Sequence, residues 1–255
     1  MFDLRFEERV ATITLQHPPV NAISRVWCEQ FHAVLDQLEA NNESRVIRIT
    51  SGLRVFSAGG DIKEFASRLD LPDAGAMLAD EALAYQRLFA RIEALPQVSV
   101  AEIQGVAAGG GMELALACDL RIASTKARLG LPEVGLGLLP SAGGTQRMTR
   151  LIGRGRAMRL ICGAELVAAG EAFQLGLVEW LFPEEGFAEA ARAVANRLAA
   201  QPKEALQAAK HCVQAFHDGS RDGYAEEARA PLYLMDSIET RARIDEFVKR
   251  SKDKA

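Results

Sequence analysis

Apolar and polar residues alternate along VATITL at 10–15, the period-two signature of a half-buried strand, and residues 2–6 form a second short strand just before it. HPPVNAIS at 17–24 then breaks the pattern as a turn, with Ser24 placed to cap a helix running to about Asn41. Alternation returns in RVIRITS at 45–51, QVSVAEIQG at 97–105, LRIAS at 120–124 and VEWLF at 178–182, each predicted to be a strand. Between them the period lengthens. Tyr85, Leu88, Phe89, Ile92 and Leu95 recur at helical spacing on one face, and ELALACD at 113–119 also reads as helix. RLDLPDAGAML at 68–78, with Pro72 and Gly75, reads as a loose loop over a pocket. Beyond Leu131 helical patterns take over. SAGGTQRMTRLIG and RAMRLICG come first, and from Phe187 onward every segment is helical through IETRARIDEFVKRSK. The pattern predicts an α/β front part followed by an all-helical tail.

Composition narrows this picture without redirecting it. The 255 residues suffice for a substantial core, and 49% hydrophobic with 25% charged residues is an ordinary globular balance. A formal net charge of −4 argues against a nucleic-acid partner bound through phosphate neutralisation. No stretch approaches the roughly 18 uninterrupted apolar residues of a membrane span, and the acidic start MFDLRFEERV does not read as a signal peptide, so a cytoplasmic protein without a membrane partner is expected. Cys28, Cys118, Cys162 and Cys212 show no zinc spacing and read as free, mostly buried thiols. The histidines are too dispersed to suggest a metal site.

The glycines carry the chemistry. GVAAGGGMELALACD at 105–119 sets three consecutive glycines where a strand meets a helix, although glycine disfavours helix and so must answer a backbone need there. Such a junction presents free N–H groups at the positive end of a helix dipole. The phosphate-loop and dinucleotide patterns are absent. A developing oxyanion on a carbonyl is a better match than a phosphate, with FSAGGD at 56–61 supplying a second donor through Gly60. Taken singly, each cluster is better explained by a tight turn. Glu113, in the first turn of its helix, suits the dipole, and Glu133 follows a proline in a turn. Both stand among apolar residues, where a carboxyl loses hydration and its pKa rises toward proton-transfer range.

Together these segments resemble the crotonase, or enoyl-CoA hydratase/isomerase, superfamily, and the resemblance covers essentially the whole chain. It is strongest from IQGVAAGGGMELALACDLRIAS through ARLGLPEVGLGLLPSAGGTQRMTRLIG, and it includes PPVNAIS and FSAGGDIKEF. It implies a spiral of ββα repeats with the acyl-CoA site over 1–195, and over 196–255 a helical region that builds trimers, often paired as hexamers. It implies an oxyanion hole formed by the N–H groups of Gly60 and Gly110, and an acid–base pair in Glu113 and Glu133. The CoA moiety, part of the substrate and not a separate cofactor, is expected against Ala22, Ala58, Gly60, Asp61, Ile62 and Gly110. The implied activity is addition of water to a trans-2-enoyl-CoA. The alternatives are Δ3,Δ2-enoyl-CoA isomerisation on the same fold and acyl-CoA binding without catalysis.

Three features depart from the family pattern. Ser141 stands where hydratases often have glycine, Pro18-Pro19 replaces a segment that often carries a basic residue, and Phe247 sits in a C-terminal segment whose charges are altered. In the family that phenylalanine reaches the CoA of a neighbouring subunit.

Overall fold

A computed structural model describes residues 1–252. The chain opens with an antiparallel pair, β1 (Phe2–Glu7) and β2 (Val10–Leu15), matched from Phe2 opposite Leu15 to Glu7 opposite Val10. Helix α1 (Arg25–Ala40) follows. The hydroxyl of Ser24 accepts from the Trp27 N–H, the cap expected of it, and Trp27, Phe31, Leu35 and Leu38 face the core. Strand β3 (Val46–Ser51) lies parallel to β2. The short helix α2 (Ile62–Ala66) is capped by Asp61, whose carboxylate accepts from the N–H groups of Lys63 and Glu64.

Helix α3 (Ala74–Ala94) begins earlier than the sequence pattern suggests. The segment 68–78 is therefore only partly loop, and Leu78 belongs to a helix. Ala74, Ala76, Met77 and Ala79 are good helix formers, and Gly75 near the helix start costs too little to stop it. Strand β4 (Val98–Ile103) is buried along its whole length and pairs in parallel with β3, as befits the centre of a sheet covered on both faces.

Next come β5 (Val106–Ala108), α4 (Gly110–Ala117), β6 (Leu120–Ser124) and β7 (Arg128–Gly130), then a 3-10 turn at Glu133–Leu136. They are followed by α5 (Gly144–Ile152), α6 (Arg154–Cys162), β8 (Leu166–Ala168), α7 (Ala169–Leu175) and β9 (Trp180–Phe182). The main sheet runs β1-β2-β3-β4-β6-β9, and a smaller one runs β5-β7-β8. Strands β5, β7 and β8, three residues each, did not stand out in the sequence because alternation cannot register over so short a run. The helical tail comprises α8 (Phe187–Ala199), α9 (Lys203–Ala215), α10 (Gly223–Arg229), α11 (Pro231–Leu234) and α12 (Ile238–Lys252). Helix α8 packs on β2 and β3, and the expected division at 195/196 falls inside it.

Apart from Glu113, helix α4 is apolar around its circumference, and every residue from Gly111 to Ala117 is buried. Its C-terminal end meets Arg121, itself 3% exposed, whose guanidinium donates to the carbonyls of Cys118, Ala115 and Leu177 and pairs with Glu179 at 2.6 Å. A cation there complements the negative end of the helix dipole. Of the four free thiols, Cys28 and Cys118 are buried, whereas Cys162 is exposed and Cys212 half-buried, fewer buried than expected. Among the described residues no helix is long and apolar enough to cross a membrane.

Candidate active site

Two glycine-bearing corners lie side by side because the chain preceding each is tied to the other. Ser57 and Ala107 form a parallel bridge, Phe56 N–H donates to Val106 at 2.9 Å, and Ala108 N–H donates to the Ser57 carbonyl at 3.0 Å. Behind this seam stands Asn21, fully buried with φ +51. Its side chain accepts from His17 N–H and donates to Ser51 and to the Phe56 carbonyl, fixing the 17–24 turn against the Ser57 segment.

Each glycine of the triplet answers a different need. Gly109 adopts φ +53, and a Cβ there would stand 3.1 Å from the Glu133 Oε1. Gly111 packs so closely that a Cβ would meet the Ser57 carbonyl oxygen at 2.4 Å. Between them, a Cβ on Gly110 would come within 3.5 Å of the Gly60 nitrogen, so the two corners face one another across a gap one methyl group would fill. Gly110 is the first residue of α4, where an amide has no intrahelical acceptor, and the Gly60 N–H donates to no backbone carbonyl among the described residues.

Gly60 and Gly110 both line a cavity of about 430 Å³ that is also lined by Glu113 and Glu133. Glu113 is 3% exposed, and its Oε1 accepts from the N–H groups of Ala142 and Gly144, both at 2.8 Å. That approach requires glycine at 144, because a Cβ there would fall 2.8 Å from Cγ and Oε1 of Glu113. Burial pushes the Glu113 pKa up to about 7 from an ordinary 4.5; the Gly144 N–H opposes the rise, and the charge of Glu133 adds to it. Burial also raises the pKa of Glu133, whose Oε2 is buried without a hydrogen-bond partner. Two carboxyls with raised pKa values, one anchored by two amides and the other with an unpartnered oxygen, make a pair suited to proton transfer.

Volume alone would not select this cavity. A groove of about 870 Å³ involving α3, α5 and α9 is larger, but its Glu93 and Asp119 are tied to Arg147 and Lys210 at 2.6 and 2.7 Å.

Ala58, Gly60, Asp61, Ile62 and Gly110 all line the 430 Å³ cavity, as does Ser141. Ala22 does not; it is half-buried one residue before Ile23, with its carbonyl 3.0 Å from the His17 Nδ1. Phe247 lies exposed on α12 and is likewise absent from the lining. Leu78, in the segment expected over a pocket, is in the wall; Glu64, Glu81 and Tyr85, which no sequence pattern marks for a site, are brought there by the packing of α2 and α3. Among the described residues no cluster of three or more His, Cys, Asp or Glu side chains is placed to hold a metal.

The sequence profile of the enoyl-CoA hydratase/isomerase family matches residues 5–253. The chain belongs to this family. It is 41% identical over 204 residues to a protein of Bacillus subtilis named probable enoyl-CoA hydratase, covering 80% of this chain and 78% of that one. It is 34% identical to the 2,3-dehydroadipyl-CoA hydratase of Escherichia coli, over 92% of this chain and 90% of the relative. The crystal structure of an enoyl-CoA hydratase from Bacillus anthracis superposes with a TM-score of 0.89 at 31% identity, covering 98% of this chain and 96% of that one. The crotonase-type fold anticipated from the sequence is thus the fold of the molecule, and acyl-CoA chemistry is the business of its family.

Proposed function

We propose that the protein is an enoyl-CoA hydratase acting on trans-2-enoyl-CoA thioesters. The observation that carries this reading is the meeting, in one cavity, of two open backbone amides with two carboxyls whose pKa values are raised. In this reading the thioester oxygen accepts from the N–H groups of Gly60 and Gly110. One glutamate takes a proton from a water molecule as its oxygen bonds to C3. The C2=C3 electron pair moves onto the thioester oxygen as an enolate, and a proton is then delivered to C2 on the same face. Each oxyanion donor contributes about 3 kcal/mol to such a transition state. The glutamates titrate as a pair, and either direction of reaction uses the same groups. The CoA portion lies along Ala58, Asp61 and Ile62, with Ala22 at the adjoining turn, and no separate cofactor takes part.

Glu133, with its unpartnered oxygen, could alone shuttle a proton between C2 and C4, which favours a second reading, Δ3,Δ2-enoyl-CoA isomerisation. Loss of enoyl-thioester absorbance with crotonyl-CoA tests the first reading, and absence of turnover with short, medium and aromatic enoyl-CoAs refutes it. Near-full isomerase activity in Glu113→Gln would establish the second instead. The same proposal includes a homotrimer or homohexamer, supported by Phe216, Tyr224, Leu232 and Ile238, all largely exposed on the helical tail. A monomer by native mass measurement would refute that part.

A further inference from the structure

On its α2–α3 side the active-site cavity adjoins a second one. Glu81 and Tyr85 of α3 line both the first cavity and a neighbour of about 500 Å³, so they form the wall between them. Arg68, just beyond α2, lies in the second cavity and forms ion pairs with Glu64 and Glu81, two of the carboxylates that line the first. Its guanidinium therefore joins α2 to α3 across the wall. The Tyr85 hydroxyl donates to the Ile23 carbonyl at 3.3 Å, which holds the ring in place beside it.

We infer that Arg68, Glu64 and Glu81 form an ionic partition that sets the length of the acyl group, restricting the site to short-chain acyl-CoA thioesters. This rests on the acyl-CoA reading above. Ile23, Phe65 and Leu78 offer apolar surface in the first cavity. Each methylene buried against such surface strengthens binding about fourfold. A chain long enough to reach Arg68 gains nothing further, because it must part three charged groups from one another and take them out of water. Space for a longer chain exists beyond them, beside Cys28, Met77, Leu83 and Ala84, in a cavity that Arg25, Glu29, Asp80 and Arg87 also line. Charge, not lack of volume, stops the chain.

The test compares kcat/KM for crotonyl-, octenoyl- and dodecenoyl-CoA in the native enzyme, in Arg68→Met and in the double variant Glu64→Gln/Glu81→Gln. The native enzyme is expected to favour crotonyl-CoA, and the dodecenoyl-to-crotonyl ratio to rise at least ~tenfold in both variants. An unmoved ratio, or a native enzyme that uses dodecenoyl-CoA as well as crotonyl-CoA, overturns the inference. If Arg68→Met fails to fold, the double variant, which keeps side-chain shape, decides. Calorimetric affinities for saturated butyryl- and dodecanoyl-CoA read the same ratio without turnover. Should no enoyl thioester react, the hydratase reading fails while those affinities still judge the partition; should neither saturated thioester bind, both fall.

Discussion

Glu113→Gln separates what the buried carboxyl does for chemistry from what it costs the fold. An acid held at about 7 in the folded state, against 4.5 ordinarily, keeps a proton that the unfolded chain gives up between those values. The folded state binds more protons there, so its stability falls as pH rises across that interval, by about 1.4 kcal/mol per pH unit. From 4.5 to about 7 this comes to about 3 kcal/mol, lost in full at higher pH and absent below 4.5. Glutamine removes the penalty. Its oxygen can still accept from Ala142 and Gly144, but its amide brings N–H donors to a site where only an acceptor is matched, which takes back about 1 kcal/mol. The variant is therefore expected to be about 1–2 kcal/mol more stable than the native protein at about pH 8, and no more stable at about pH 5. Hydration should fall about 10²- to 10⁴-fold. Urea denaturation at both pH values, with crotonyl-CoA turnover, measures all of this. A stability difference identical at both pH values, or more than about a tenth of the activity retained, would refute the account of Glu113.

Gly144→Ala should displace the Glu113 carboxylate from its two amides; a shift on the order of 1 Å lowers turnover about 10²-fold. Because those N–H groups favour the charged form, the same variant should move the associated limb of the pH–rate profile upward. Gly111→Ala drives a methyl into the Ser57 carbonyl and is expected to lose about 2 kcal/mol or more in a denaturation midpoint. Gly60→Ala, whose Cβ would meet nothing within 4 Å, should unfold at the native midpoint. Asn21→Ala leaves the Phe56 carbonyl and the His17 N–H without their partner and should cost about 2–3 kcal/mol, read in the same way.

The corners and carboxyls could be picked out in the sequence because their residue types are unusual where they stand: glycines leading into helix, and glutamates among leucines. Their convergence could not, since it depends on the Ser57–Ala107 bridge, which joins residues fifty positions apart. Gly144 shows the same limit. In the sequence it is one more glycine before a helix; in the structure it is the only residue type that lets the amide at position 144 reach Glu113. The helix start at Ala74 was misplaced because Pro72 and Gly75 are local breakers, whereas the packing of Leu88, Phe89 and Ile92 further along decides whether α3 forms. The Arg68 contacts were silent for a related reason: charged residues on surface-like segments pair in too many ways for spacing alone to choose.

Helix α4 offers its amides to the cavity at one end, is sheathed in core side chains along its length, and is held by Arg121 at the other. One of the two amides that would meet developing negative charge is thereby built into a helix buried along its length. The part of the site that would meet the acyl group belongs to thinner, partly exposed pieces around α2 and the start of α3. A lineage descending from such a molecule can trade one acyl group for another by altering a few peripheral side chains while Gly110, on its buried helix, stays where it is.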